Sequence, residues 1–266
     1  MSTFQDAAVW ITGGGSGLGR AMALEFARQG AHVAVSGRRL EPLEDVAAEI
    51  EELGRTAVIV ECDCTDEAQV ERAVAAVVEK FGRLDVAVAN AGFSVNGRVE
   101  SLSADDWRRQ LDINVVGAAI TARHAIPHLI RSGGRFALVG SVSGVVYFPG
   151  FAAYQASKAA VLALGRTMAM ELKPHGVSCT VLQPGFVATD IARVDNQGRL
   201  DPTRGDPRPA SLMWEAEPAA RKMVGAIARR KVEYTFTGHG RIGVFLGRHA
   251  PWLIQWLGPR VAPARR

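Results

Sequence analysis

Tyr154 and Lys158, four residues apart in Tyr154-Gln155-Ala156-Ser157-Lys158, carry the chemistry of a proton relay. On a helix this spacing puts both side chains on one face, about one turn apart. An ammonium beside a phenol favours the phenolate, so the pair is expected to draw the tyrosine pKa down from its ordinary value of roughly 10. A phenol tuned in this way can give and take a proton near neutral pH. The spacing alone is common on helix surfaces, but it does not stand alone. Ser141 lies upstream in Gly140-Ser141-Val142-Ser143-Gly144, a hydroxyl that could steady an oxygen gaining negative charge.

A third feature is Thr12-Gly13-Gly14-Gly15-Ser16-Gly17-Leu18-Gly19. It follows an apolar run, Ala7 to Ile11, and opens a helical pattern, Leu18 to Gln29, that stops at Gly30. Strand, glycine turn and helix form the setting in which backbone N–H groups and a helix dipole hold a pyrophosphate. The spacing is Thr-Gly-x-x-x-Gly-x-Gly rather than the general G-x-G-x-x-G.

Together these motifs resemble the short-chain dehydrogenase/reductase family, from about Ala7 to Tyr234. Thr12-Gly13-x-x-x-Gly17-x-Gly19 matches the family's cofactor turn, with Ser16 and Leu18 inside it. Asn90-Ala91-Gly92 matches its Asn-Ala-Gly motif, although Ala89 stands where a further Asn is usual. Asn114, Ser141, Tyr154 and Lys158 match its catalytic four, and Pro184-Gly185 with Thr189 matches the segment beside the nicotinamide. The resemblance implies an enzyme that moves hydride between nicotinamide and a carbonyl carbon. Tyr154 would be the general acid in reduction and base in oxidation. Lys158 would lower its pKa and bind the nicotinamide ribose, Ser141 would hold the substrate oxygen, and Asn114 would fix a water beside Lys158. Ser143 is a rival for the Ser141 role, but Ser141 has the family's spacing to Tyr154.

The cofactor choice turns on the end of the second strand, Val35-Ser36-Gly37-Arg38-Arg39. An acid there binds an adenosine ribose, whereas an arginine accommodates a 2′-phosphate. Gly37 occupies the acid's place, and Arg38, with Arg39 beside it, favours NADP(H); NAD(H) is the alternative, since Ser16 is not the basic residue that often reinforces an NADP site. Asp63 resembles the family's adenine contact.

The chain has 266 residues, 48% of them hydrophobic and 22% charged, enough for one α/β domain with an ample core. Apolar runs Ala7–Ile11, His32–Val35, Ala57–Val60, Val86–Ala89, Phe136–Val139 and Val177–Leu182 read as strands buried on both faces. Helical patterns fill the intervals. Glu41-Pro42 starts one that Gly54 ends, Thr65 reads as an N-cap, and Ser103 with Asp105 and Asp106 caps the helix holding Asn114. This alternation implies a Rossmann-type doubly wound parallel sheet in a single domain, with ligand at the carboxyl ends of the strands. The expected division is 1–237 for the dinucleotide-binding and catalytic part and 238–266 for a C-terminal helical extension.

Cys62, Cys64 and Cys179 lie in or near strand-like runs and read as buried free thiols of a reducing compartment. His124 and His128 have i, i+4 spacing without the Glu of a His-Glu-x-x-His site, so no metal is expected. No signal peptide and no apolar run near ~20 residues is evident, which points to a cytoplasmic protein without nucleic-acid partners. Phe93-Ser94-Val95, Val145 to Phe148, Phe151 and Phe186-Val187 are expected to wall a pocket for a hydrophobic ketone or secondary alcohol, with no Lys or Arg to clamp a carboxylate. Arg193 to Pro209 reads as a mobile lid or a plain surface loop.

The helices near Trp107–Ile130 and Tyr154–Leu172 resemble family interface helices, and a small face of Ala159, Ala163, Gly165 and Ala169 suits close approach in a homodimer or homotetramer. From Gly238 onward lie Arg241, Arg248, Arg260, Arg265 and Arg266 and no acid, so all of the net charge of +4 resides there. Trp252, Trp256 and aliphatics accompany them, a composition suited either to a helix covering the pocket or a partner subunit, or to peripheral contact with anionic membrane. Two other function classes remain open: a nicotinamide-binding regulator without turnover, which would be expected to have lost Tyr154 or Lys158, and a dehydratase or epimerase, which would need a longer C-terminal region.

Overall fold

The computed structural model describes residues 3–201, 203–206 and 208–261, the last four as backbone only. Arg265 and Arg266 of the basic tail therefore lie outside the described residues, as does the side chain of Arg260. Seven parallel strands form one sheet in the order β3-β2-β1-β4-β5-β6-β7. They are β1 (Ala8–Thr12), β2 (His32–Gly37), β3 (Ala57–Glu61), β4 (Val86–Ala89), β5 (Arg135–Val139), β6 (Ser178–Leu182) and β7 (Glu233–Tyr234). Six match the apolar runs in the sequence. The seventh has two residues, too short to leave a hydrophobic signature.

The order reverses between β1 and β4, and chain connections diverge there to opposite faces, which opens a crevice at the carboxyl ends of these strands. β1 is central and buried along its whole length. β3 departs from the expectation of burial on both faces: it is an edge strand, and Ile59 is exposed. An apolar run identifies a strand but not its place in the sheet.

Helices cover both faces. α1 (Gly17–Arg28), α2 (Leu40–Glu52) and α7 (Ala216–Ala228) enclose one core layer around Met22, Phe26, Ile50 and Met223. α3 (Glu67–Phe81), α5 (Gly117–Ser132) and α6 (Ala152–Leu172) enclose the other around Trp10, Phe136, Leu138 and Leu172. α3 starts one residue later than expected. Asp66 is its N-cap, accepting from the Gln69 N–H, while Thr65 is spent on the Asp63 carboxylate.

α4 (Ala104–Leu111) runs through a π-helical turn, Asp112–Val116, into α5. Two C-terminal helices, α8 (Gly238–His249) and α9 (Pro251–Val261), extend the domain. Among the described residues, no helix is long and apolar enough to cross a membrane.

The start of α4 sets the entry to the π-turn that carries Asn114. Ser103 accepts from the Asp106 N–H at 3.2 Å, and the Asp106 carboxylate returns to the Ser103 N–H at 3.0 Å, a reciprocal capping box. Ser103→Ala is expected to lower unfolding stability by about 1 kcal/mol without changing the denaturant m-value, as measured by urea titration.

Candidate active site

The crevice is a groove of about 520 Å³ running from the end of β2 to the first turns of α6. Its floor is the glycine turn after β1. Gly13 has φ +64°, and a methyl group there would come 2.9 Å from the Ala91 Cα. A methyl at Gly19 would lie 2.1 Å from the Gly13 carbonyl oxygen, so α1 can approach the turn only without a side chain.

The turn is stapled to the end of β4. Thr12 Oγ1 accepts from the N–H groups of Asn90 and Ala91, both at 3.1 Å, and the Asn90 amide donates to the carbonyls of Thr12 and Gly13. At the N-cap of α1, Ser16 makes no side-chain capping bond, and no acid occupies the first turn. The positive end of α1 therefore opens on the groove.

The expected cofactor residues gather here. Gly13, Ser16, Gly17, Leu18 and Gly19 line the floor; Asn90, Gly92, Pro184, Gly185 and Thr189 line the flanks. Arg38, Arg39 and Asp63 line the end by β2 and β3. Both arginines are exposed and, among the described residues, neither pairs with a carboxylate.

Ser141, Tyr154 and Lys158 line the other end. Lys158 is 6% exposed and donates to the Val139 carbonyl at 2.8 Å. Burial lowers its pKa to about 8. Its ammonium lies 5.7 Å from the Tyr154 ring centroid. The expected downward shift of Tyr154 is not found: burial pushes the phenol up, while hydrogen bonding with Ser141 and the charge of Arg208 pull it back only in part. Withdrawal from water outweighs the nearby cation.

Asn114 is buried in the π-turn and does not line the groove. Its Oδ1 accepts from the Phe93 N–H, and its Nδ2 donates to the Phe93 carbonyl and to Ser157 Oγ. Both N–H groups of the amide are committed there, so neither is left for the water expected beside Lys158. The expected apolar walls are also redistributed. Phe93 and Val187 line the groove, Val95 is buried in a small cluster with Ala153, and Tyr147 and Phe151 are exposed.

Several lining residues escaped the sequence reading. Ile113 comes from the π-turn and Ile191 from a 3-10 turn, Asp190–Arg193; Val194, Arg199, Leu200 and Arg208 come from the segment expected to be a lid or loop. That segment forms a short hairpin, with Val194 bridged to Leu200. The Asn196 amide accepts from the Asn96 N–H and donates to the Asn96 carbonyl, which pins the hairpin to the chain after β4. Arg208 and Arg199 place cations on the groove where none was expected, although Arg208 is held by Asp206 and the carbonyls of Val187 and Thr189. An irregular loop held by turns and side-chain bonds leaves no periodic signal.

The C-terminal extension is also part of this end. Gly240, Gly243 and Gly247 of α8 face Val142, Val146 and the Val145 carbonyl, so the helix seats directly on the turn that follows Ser141.

Residues 7–200 match the family model for short chain dehydrogenases. A 3beta-hydroxysteroid dehydrogenase of Mediterraneibacter gnavus is 36% identical over 72% of this chain and 70% of that protein. A glycine betaine reductase of Emericella nidulans is 33% identical over 82% of this chain, a stretch that makes up 17% of that longer protein. The crystal structure of a Burkholderia phymatum short chain dehydrogenase/reductase with NAD superposes with a TM-score of 0.84 at 26% identity, covering all of both chains. That of a Burkholderia cenocepacia short chain dehydrogenase with NADP gives 0.80 at 30% identity, over 90% of this chain and 99% of the other. With the family model spanning residues 7–200 and six of the seven strands, the chain belongs to the short-chain dehydrogenase family of NAD(P)-dependent oxidoreductases.

Proposed function

We propose that the protein interconverts a hydrophobic ketone and its secondary alcohol with NADP(H), using Tyr154 as general acid and base. The observation that carries this reading is the gathering of Ser141, Tyr154 and Lys158 at one end of a groove whose other end holds an open glycine turn and Arg38. A dinucleotide fits that groove: Gly13 and Gly19 let the turn, α1 and the end of β4 pack closely enough to form its floor, and the uncapped start of α1 on that floor favours an anion. Arg38 and Arg39 offer unpaired guanidinium groups for a 2′-phosphate.

When bound, the nicotinamide supplies or accepts hydride at the carbonyl carbon. Tyr154 gives its proton to the carbonyl oxygen in reduction and takes it back in oxidation. Ser141 donates a hydrogen bond to the same oxygen, which strengthens as negative charge develops there. Lys158, fixed by the Val139 carbonyl, holds a positive charge beside Tyr154 and favours its ionised form against the cost of burial. Asn114 acts from behind the groove, where its amide fixes the Phe93 loop. Phe93, Ile113, Val187 and Leu200 give the groove apolar lining suited to a hydrophobic substrate.

The part of the chain that performs this chemistry is proposed as 1–237, with 238–266 as an extension of the same domain, and a reducing cytoplasm is the proposed setting. We also propose a homo-oligomer. Val116, Ala163 and Met170 are exposed on the α5 and α6 side and supply apolar surface for it. Gly165, expected on that surface, points instead into the sheet, where a methyl would lie 2.2 Å from Val181 Cγ2.

Tyr154→Phe is expected to abolish turnover across a panel of ketones and alcohols while NADP(H) still binds. Activity kept within about tenfold would remove Tyr154 from proton transfer. Arg38→Ala should weaken NADPH binding by about 1.5–3 kcal/mol and leave NADH nearly unaffected, as measured by fluorescence titration; equal losses would rule Arg38 out as the reader of the 2′-phosphate. Light scattering at micromolar concentration should give a dimer or tetramer. A monomer that co-sediments with anionic vesicles at low salt would sink the oligomer and assign the exposed Trp252 and Trp256 of α9 to a membrane surface instead.

A further inference from the structure

We propose that His239, in the first turn of α8, is a positioning residue that fixes the Pro184–Val187 segment against the nicotinamide end of the groove. The inference rests on the reading of the groove as a nicotinamide dinucleotide site. His239 Nε2 accepts the Phe186 N–H at 3.2 Å, and its ring stacks on that of Phe186 at 5.2 Å and 22°. The Phe186 carbonyl accepts from the Trp214 N–H at 3.0 Å. Both polar groups of this residue's main chain, and its ring, are thus held from the side away from the groove, while Gly185 and Val187 on either side line it.

The fit is close. A methyl at Gly185 would lie 2.4 Å from both His239 Nε2 and Thr237 Oγ1. The same segment is tied to the turn carrying the substrate-facing hydroxyl, because the Val142 N–H donates to the Pro184 carbonyl at 3.1 Å. α8 rests on that turn through Gly240, so one helix end holds both walls of the reacting region. An imidazole can accept at Nε2 only when neutral, with its proton on Nδ1. Burial lowers the His239 pKa and so favours the neutral ring, while the Phe186 N–H selects the tautomer.

Hydride transfer is sensitive to small displacements of the reacting ring, whereas dinucleotide affinity is shared along the whole groove. The test compares His239→Phe, which keeps the stacking and loses the acceptor, with His239→Gln, which offers an amide oxygen in its place. NADPH affinity reads the whole dinucleotide; the emission of bound NADPH comes from the reduced nicotinamide alone and reads how firmly that ring is held. H239F should keep NADPH affinity within about threefold and the wild-type melting temperature. It should also shift bound NADPH emission toward that of free NADPH and lower kcat about tenfold, the size of one hydrogen bond lost. H239Q should recover most of the emission.

Unchanged emission in H239F overturns the proposal, and so does an H239Q that loses as much as H239F. Joint loss of affinity and melting temperature in both variants marks a purely structural residue and also overturns it. Wild-type protein that binds neither NADPH nor NADH removes the dinucleotide reading itself, a result distinct from the others.

Discussion

The site depends on the staple between Thr12 and Asn90. A glycine-rich turn left to itself samples many conformations, and its use as a cradle requires that one be selected. Here the selection is made from outside the turn. The Thr12 hydroxyl gathers two N–H groups from the chain leaving β4, and the Asn90 amide returns to two carbonyls of the turn. These bonds join the two strands between which the sheet reverses its order, so the crevice and its floor are fixed by the same few atoms. They also direct carbonyls of the turn toward Asn90, which leaves the start of α1 as the positive surface of the floor.

Much of this was legible because it is encoded locally. Strand, turn and helix are contiguous around Gly13, and Tyr154 and Lys158 share a helix face by spacing alone. What was illegible depended on burial or on distant partners. The sequence places a lysine near Tyr154, but the sign of the phenol's shift follows from how much water the fold removes, and burial prevails. Gly165 has the composition of an interface residue, yet the orientation of α6 turns it toward Val181. Thr65 and Asp66 are both competent caps; the first is taken by Asp63, and the second caps. Asn114 was identified as a functional type, but the commitment of its amide to Phe93 and Ser157 is a property of the π-turn.

The C-terminal extension illustrates the same limit. Gly240, Gly243 and Gly247 weaken α8 as an isolated helix, since glycine favours the unfolded chain. Their value lies on the inner face, where the absence of side chains lets the helix backbone settle on the turn beyond Ser141. The outer face keeps Ile242 and Phe245 exposed. The helix is therefore maintained by what it touches rather than by its own propensity, and it brings sequence remote from the glycine turn into the walls of the reacting region.

The burial of Lys158 has a consequence for folding as well as for chemistry. An unfolded lysine titrates at 10.5, whereas the folded site holds this one at about 8. Below pH 8 both states carry the proton, and the full cost of burying the charge opposes folding. Between these values the unfolded chain is protonated and the folded one is not, so folding expels a proton and stability rises with pH as far as this group is concerned. Above 10.5 both are neutral and the cost is gone. At physiological pH the wall of the groove thus carries a buried charge that its bond to the Val139 carbonyl only partly offsets. An anionic ligand with affinity for that charge would return part of the lost stability, which couples occupancy of the site to persistence of the fold.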